Sequence, residues 1–309
     1  MSFSSDTKNE LARLTPDKKC CILAEIAAFI RFCGKLRLAG GGKFTIVLTT
    51  EIPAVARRFN TLIKNYFNVE TILEVGRGNT LKKRRYYSIT IGPGELSQQI
   101  LRETGILMIR EGVNYLTDGI YDGLIKTKCC RKSYLRGAFL AAGTMTNPEK
   151  AYQFEIVCAT ETLAADMRRL INTFVDLHAK KVLRKSDYVV YVKESGQILD
   201  LLAIMGAHSQ YFAFEDVRFK KELRNEANRQ SNCDQANIDK ALSAAGRQIE
   251  NIEKVGIGNL PAKLQEIALL RLENPYISLT ELGEMLTPPL KKSGVSHRMK
   301  RIEELAKKG

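Results

Sequence analysis

Five side chains gather near the start of the segment 295-VSHRMKRIEELA-306: Ser296, His297, Arg298, Lys300 and Arg301. Val295, Met299, Ile302 and Ala306 recur there at helical spacing and should form a buried stripe, which leaves the five polar residues off it. A guanidinium can donate two N–H bonds to O6 and N7 of guanine, and serine, histidine and lysine suit base edges or phosphates. Lys291 and Lys292 lie just upstream, and from Pro288 to Gly309 seven Lys or Arg face two Glu. That is chemistry for holding a nucleic acid, with Arg298 and Arg301 as base readers and Lys291, Lys292 and Lys300 on phosphate. A solvated basic face is the alternative.

Other chemistry finds little support. The three histidines, His178, His208 and His297, share no motif with a cysteine, so a thiol nucleophile is not expected. Seven cysteines include the adjacent pairs Cys20-Cys21 and Cys129-Cys130 but no C-x-x-C. Neither a disulfide framework nor a zinc spacing follows, and buried free thiols in a reducing compartment are the expectation. Gly40, Gly41 and Gly42 precede Lys43 without P-loop spacing, so they read as a loop. No catalytic residue, metal or cofactor is predicted. A net charge of +14 from 48 Lys and Arg favours a polyanionic partner. Charged residues break every long apolar run, and the N-terminus has no signal-peptide pattern, so a cytoplasmic protein without a membrane span is expected.

Three helices should present the basic residues. The first starts at Leu260-Pro261 and ends before Asn274-Pro275. The second opens on the capping box 278-SLTE-281 and buries Leu279, Leu282 and Leu286. The third is 295–306, after an eight-residue connection, 287-TPPLKKSG-294, longer than the usual helix-turn-helix turn. Upstream, 216–256 is rich in polar helix formers and reads as one or two solvated helices. Its Lys220, Lys221, Arg224 and Arg229 could touch a DNA backbone.

The first two thirds of the chain are duplicated. The segments 19-KCCILAEIAAFIRFCG-34 and 128-KCCRKSYLRGAFLAAG-143 share the Lys-Cys-Cys start and the closing glycine at an offset of 109. Strand-like alternation follows in 44-FTIVLTTE-51 and 154-FEIVCATE-161. Thr50 and Thr160 are then expected to cap Arg-Arg-containing helices at 54–67 and 163–176. The strand 87-YSITI-91 answers 188-YVVYV-192, and the next helices close at Gly105 and Gly206. Each unit reads αββαββα, with both small-residue helices at a shared seam where backbones can approach closely.

These motifs resemble the LAGLIDADG homing endonuclease fold, in which two such helices form the interface and the sheets a saddle over DNA. The endonucleases carry metal-binding acids just before the motif glycines. Here those positions are Cys33 and Ala142, so the resemblance implies a fold kept for binding rather than cutting. With the carboxy-terminal helices, and with 293-SGVSHRMKRIEELA-306 in particular, the chain is similar to the WhiA family of bacterial regulators. The expected architecture is α+β: a duplicated αββαββα domain over 1–214 (repeats about 19–110 and 128–214), a helical linker over 215–257, and an all-α helix-turn-helix domain over 258–309. The resemblance implies double-stranded DNA as partner, a nucleoid location, and transcriptional control tied to sporulation, cell division or chromosome segregation. In the saddle, the run Lys82, Lys83, Arg84 and Arg85 is the candidate for phosphate contacts, with 180-KKVLRK-185 as a sparser counterpart. A protein partner on that domain, a nucleoid or division scaffold, and an active nuclease remain the alternatives. A monomer in solution is expected because the pseudo-dimer is internal.

Overall fold

The chain opens with a helix that the sequence reading left out, α1 (Phe3–Leu11), capped by Ser2, whose hydroxyl accepts from Ser5 N at 3.2 Å. In the computed structural model, which describes residues 2–41, 43–77 and 85–308, two compact units follow one another, Met1–Lys220 and Lys221–Gly309. The first holds both repeats. Repeat one runs α2 (Lys19–Cys33), β1 (Gly34–Leu38), β2 (Phe44–Thr50), α3 (Pro53–Phe67), β3 (Ile72–Arg77), β4 (Arg85–Ile91) and α4 (Glu95–Glu103). A hairpin comes next, β5 (Leu107–Arg110) and β6 (Val113–Leu116). It turns at Glu111 and Gly112, both with positive φ (53° and 79°), as a two-residue hairpin loop demands. Repeat two runs α5 (Lys128–Ala142), β7 (Gly143–Met145), β8 (Phe154–Cys158), α6 (Glu161–Ile171), β9 (Lys180–Arg184), β10 (Asp187–Val192) and α7 (Ser195–Met205).

The two antiparallel sheets have the same strand order, β1-β2-β4-β3 and β7-β8-β10-β9, as a duplication requires. Helices α2 and α5 pack side by side through Ala24, Ala27, Ala28, Gly137 and Ala138, all buried. A Cβ on Gly137 would lie 2.4 Å from the Glu25 carbonyl oxygen and 3.0 Å from the Ala28 Cβ. The small residues therefore do let two backbones meet. Both helices end on glycines with extended backbone, φ −77° at Gly34 and −78° at Gly143. A side chain there would strike Ile30 O or the Phe139 ring, so room rather than a special φ selects glycine.

Glu25 sits in that seam, fully buried. Its Oε1 accepts from Arg58 Nε (2.8 Å) and Nη2 (2.6 Å), and its Oε2 from Arg136 Nε (3.0 Å) and Nη2 (2.7 Å). Arg58 also donates to Leu14 O, and Arg136 to Met205 O at 3.2 Å. One carboxylate thus joins α2, α3 and α5 and reaches the end of α7. Burial lowers the Arg58 pKa, while Glu25 pulls it back up.

Local departures from expectation have local causes. Thr160 caps α6, accepting from Leu163 N at 3.2 Å, but Thr50 does not cap α3. Pro53 opens that helix, one residue before the expected start at 54, with Ile52 rather than Thr50 at the cap. Helix α6 stops at Ile171 because the Asn172 side chain accepts from Ala179 N (2.7 Å) and turns the chain toward β9. The segment 180–185, read as a charge run, contributes β9, and the helices before Gly105 and Gly206 do close on left-handed glycines (φ 66° and 96°).

Helix α8 (His208–Val255) is a single 48-residue helix that begins before the expected linker start at 215, and the unit boundary falls within it. Phe214 is buried, its ring 6.1 Å from Phe3 and 5.4 Å from Tyr152. Residues 222–243 are all exposed. Three helices complete the second unit: α9 (Ala262–Glu273), α10 (Leu279–Glu284) and α11 (Lys292–Ala306). Among the described residues no helix is long and apolar enough to cross a membrane.

Candidate nucleic-acid interface

The second unit is built around Ile252, Leu264, Ile267, Leu282, Leu286, Val295, Met299 and Ile302. Helix α10 starts at the expected capping box: Ser278 Oγ accepts from Glu281 N (3.2 Å) and Glu281 Oε2 from Ser278 N (2.7 Å). That reciprocal bonding also lowers the Glu281 pKa. Leu282 and Leu286 are buried, and Leu279 is half-buried against the same core. Arg271, 1 % exposed, donates to Ile277 O at 2.8 Å and so ties the end of α9 to the turn before α10.

The connection into α11 is 285–291, because α11 begins at Lys292, three residues before the expected Val295. Gly294, expected as the last residue of the connection, sits instead in the first turn, where helical backbone tolerates it. Gly283 makes the tight passage possible. Leu290 N donates to its carbonyl at 2.9 Å, and a Cβ there would lie 2.2 Å from Leu290 O.

Along α11 the stripe Val295, Met299, Ile302 and Ala306 is buried. Ser296, His297, Lys300 and Arg301 are exposed, and Arg298 is half-buried beside them. Lys291 is the N-cap and Lys292 the first helical residue, both exposed. No side chain caps this N-terminus, and its first turn has no acid. A helix start with unsatisfied N–H groups and two lysines attracts an anion. Arg301 Nη1 is paired with Glu304 Oε2 at 2.7 Å, an exposed contact that a phosphate or base could displace at little cost. All seven expected positions therefore lie on one helix and its cap.

In the first unit, Lys82, Lys83 and Arg84 fall outside the described residues. Arg85 opens β4, opposite Arg77, and is exposed. Strand alternation places it on the parity of the buried Ile89 and Ile91, so it belongs to the helix-covered side at the strand's outer end. The open face of this sheet instead carries Lys35, Arg37, Thr45, Thr49, Tyr86, Ser88 and Thr90, with Glu74. Sequence reasoning missed Lys35 and Arg37, although 34-GKLRL-38 shows them at alternate positions. The corresponding face of the second sheet differs. By register it carries Val157, Val182, Val189 and Tyr191 beside the polar Thr144, Lys180 and Asp187, and Arg184 is neutralised by Glu155 at 2.8 Å.

At the C-terminal ends of the seam helices, Cys33 and Ala142 occupy equivalent positions. The Cys33 thiol donates to Phe29 O at 3.1 Å, and burial pushes its pKa up to about 12. Lys8 lies close by, lining an open cleft of about 690 Å³ with Lys35, Thr49, Glu51, Tyr86 and Thr144. Burial lowers the Lys8 pKa to about 8, against the opposing pull of Cys33 and Glu51. At the N-terminal ends of the same helices, Cys20, Cys21, Cys129 and Cys130 bring their Sγ atoms within 4.8 Å of one another. The lack of a zinc spacing within either pair says nothing of this, because the cluster arises across the repeats.

Comparison with known proteins accords with this geometry. Three family models match in succession: the WhiA N-terminal LAGLIDADG-like domain over residues 19–107, the WhiA LAGLIDADG-like domain over 131–224, and the WhiA C-terminal HTH domain over 227–306. A protein of Alkaliphilus oremlandii (strain OhILAs) called "Probable cell division protein WhiA" is 47% identical over 313 residues, covering 100% of this chain and 98% of its own length. Its namesake in Thermoanaerobacter pseudethanolicus is 45% identical over 312 residues, with coverage of 100% and 98%. The crystal structure of full-length DUF199/WhiA from Thermatoga maritima matches with a TM-score of 0.61 at 26% identity, over 100% of this chain and 99% of that one. With full-length relatives at this identity and three family models covering both repeats and the helix-turn-helix, the chain belongs to the WhiA family.

Proposed function

We propose that this chain is a DNA-binding transcriptional regulator acting in cell division, with further roles in chromosome segregation or sporulation, and that it works at the nucleoid as a monomer. The observation that carries the reading is the two-sided α11: a buried stripe on one side, and Ser296, His297, Arg298, Lys300 and Arg301 beside an uncapped, lysine-flanked start on the other. Arg298 is the principal base reader, and Lys291, Lys292 and Lys300 hold phosphates. Arg301 joins them by exchanging Glu304 for DNA. The division role rests on the relatives' printed name.

The LAGLIDADG-like unit is retained as a binding platform rather than a nuclease. Phosphodiester cleavage with divalent metal needs oxygen ligands, and the positions at the ends of α2 and α5 hold a protonated thiol and a methyl group. On the first sheet, Lys35 and Arg37 are better placed for phosphate than Arg85. On the second sheet, the exposed Val157 and Val182 beside an Arg184 already paired with Glu155 favour a second reading, in which this unit binds a protein.

The test is retention of genomic DNA fragments by the purified chain at physiological salt with magnesium, followed by sequencing of the retained fragments and their ends. Enrichment of a few intact fragments, lost in Arg298→Ala, supports the regulator. Uniform retention favours a nucleoid scaffold, no retention removes the DNA reading, and discrete ends establish cleavage.

A further inference from the structure

We propose that Cys20, Cys21, Cys129 and Cys130 form a tetrathiolate site for one zinc ion, which clasps the two repeats at the N-terminal ends of their seam helices. All four Sγ atoms lie within 4.8 Å of one another. A tetrahedral zinc with Zn–S near 2.3 Å separates its sulfurs by about 3.8 Å, so small side-chain adjustments complete the geometry. A polynuclear iron–sulfur cluster puts metal and sulfide between its thiolates and needs them further apart.

The surroundings suit a dianionic metal–thiolate centre. Cys20 and Cys21 lie in the first turn of α2, and Cys129 and Cys130 in the first turn of α5. Two helix N-termini therefore direct their positive ends at the sulfurs. Lys18, Lys19 and Lys128 adjoin the two pairs in sequence. Thr127 accepts from Cys130 N at 3.4 Å, and its hydroxyl stands 3.2 Å from Cys129 Sγ, placed to donate to a thiolate and orient it. Cys21 and Cys130 are buried, Cys129 is half-buried and Cys20 is exposed, so an ion can arrive from the solvent side.

Loading is balanced without an oxidant: one Zn²⁺ replaces four thiol protons, giving a centre of net charge −2 and four protons released. Nothing is oxidised. Because two ligands come from each repeat, the ion binds only when α2 and α5 are paired, and its binding energy adds to folding.

The experiment uses the full chain, purified under reducing conditions, with Zn²⁺ and Co²⁺ themselves as probes. Native mass spectrometry should show one zinc per chain. Co²⁺ should give the intense thiolate charge-transfer and tetrahedral d–d bands of a four-sulfur site. The Cys20→Ser/Cys129→Ser double variant, chosen to spare the buried pair, should lose both signals, while Cys233→Ser, exposed on α8, should keep them. Chelation should lower the thermal midpoint of the wild-type chain by several degrees and leave the double variant unmoved. Substoichiometric zinc in the wild type, zinc retained by the double variant, or cross-repeat disulfides in place of metal in freshly isolated chain would each overturn the proposal.

Discussion

Replacing Glu25 by glutamine removes the one negative charge shared by Arg58 and Arg136 while keeping the side-chain shape. Four N–H bonds at 2.6 to 3.0 Å converge on this carboxylate, and the two guanidiniums are 5% and 12% exposed. Removing one partner of a buried ion pair costs about 3 to 5 kcal/mol, because the other charge stays buried without compensation. Glu25→Gln strands two cations, and its amide nitrogen points a donor at donors, so about 5 kcal/mol is expected. That is a large share of the ~5 to 15 kcal/mol typical of a folded domain. Arg136→Met leaves Glu25 and Arg58 as a neutral pair and should cost less, about 2 kcal/mol. The double variant Glu25→Gln/Arg136→Met should be more stable than the two single losses added together, with a coupling of about 1 to 3 kcal/mol. Urea unfolding followed by tyrosine fluorescence isolates the relevant unit: the chain has no Trp, and of its 11 Tyr only Tyr276 lies beyond Lys220. If Glu25→Gln costs under about 1 kcal/mol, or if the two substitutions are additive, the shared-carboxylate account is wrong.

Gly137→Ala should destabilise the first unit despite alanine's better helix propensity. Its Cβ would lie 2.4 Å from Glu25 O, and the overpacking cost of about 1 to 3 kcal/mol exceeds the ~1 kcal/mol propensity gain. Gly246→Ala, with nothing within 4 Å, should be neutral or stabilising in the same thermal melts. In DNA titrations, Lys291→Gln/Lys292→Gln should flatten the slope of log K against log salt by about 1.8 if both lysines hold phosphates. An unchanged slope would remove them from the interface. Lys8 should titrate near 8 rather than at the ordinary 10.5, visible as one displaced resonance in NMR of ¹³C-methylated lysines. Since the unfolded chain keeps that proton up to the higher pH, the wild type should gain stability relative to Lys8→Met as pH rises from about 8 to 10.5. A constant difference across that window would contradict the burial of Lys8.

Features fixed by period and spacing could be read from residues alone. The duplicated Lys-Cys-Cys starts and closing glycines placed both seam helices, and the capping box at Ser278 and the stripe from Val295 to Ala306 placed α10 and α11. What stayed hidden depends on pairing between distant segments. Nothing near Glu25 in sequence announces Arg58 or Arg136, and a single acid on an apolar helix resembles any other. The thiol cluster failed to register for the same reason: each Cys-Cys pair is half of a set whose other half is 109 residues away. The open-face cations Lys35 and Arg37 were legible by strand alternation, but the denser run 82–85 drew the assignment, and of that run the described Arg85 shares the parity of Ile89 and Ile91. Helix α1 has a weak sequence signal because its short, serine-rich segment is held by packing of Leu11 and Thr7 rather than by propensity.

The seam also shows how far the duplication has diverged from symmetry. Its ends remain equivalent: Cys20 and Cys21 answer Cys129 and Cys130, and Gly34 answers Gly143 with nearly the same backbone. Its middle does not. Glu25 corresponds to Tyr134, Ala27 to Arg136 and Ala28 to Gly137 at the same offset of 109. A second α2 in place of α5 would put a Cβ against Glu25 O, remove Arg136 from the carboxylate, and bury a second acid where Tyr134 now packs. Two identical first repeats therefore could not close this interface. The pairing has become a property of one chain with two unlike halves, which frees the open faces of its two sheets to carry different chemistry, Lys35 and Arg37 on one, and valines with cations matched by Glu155 and Asp187 on the other.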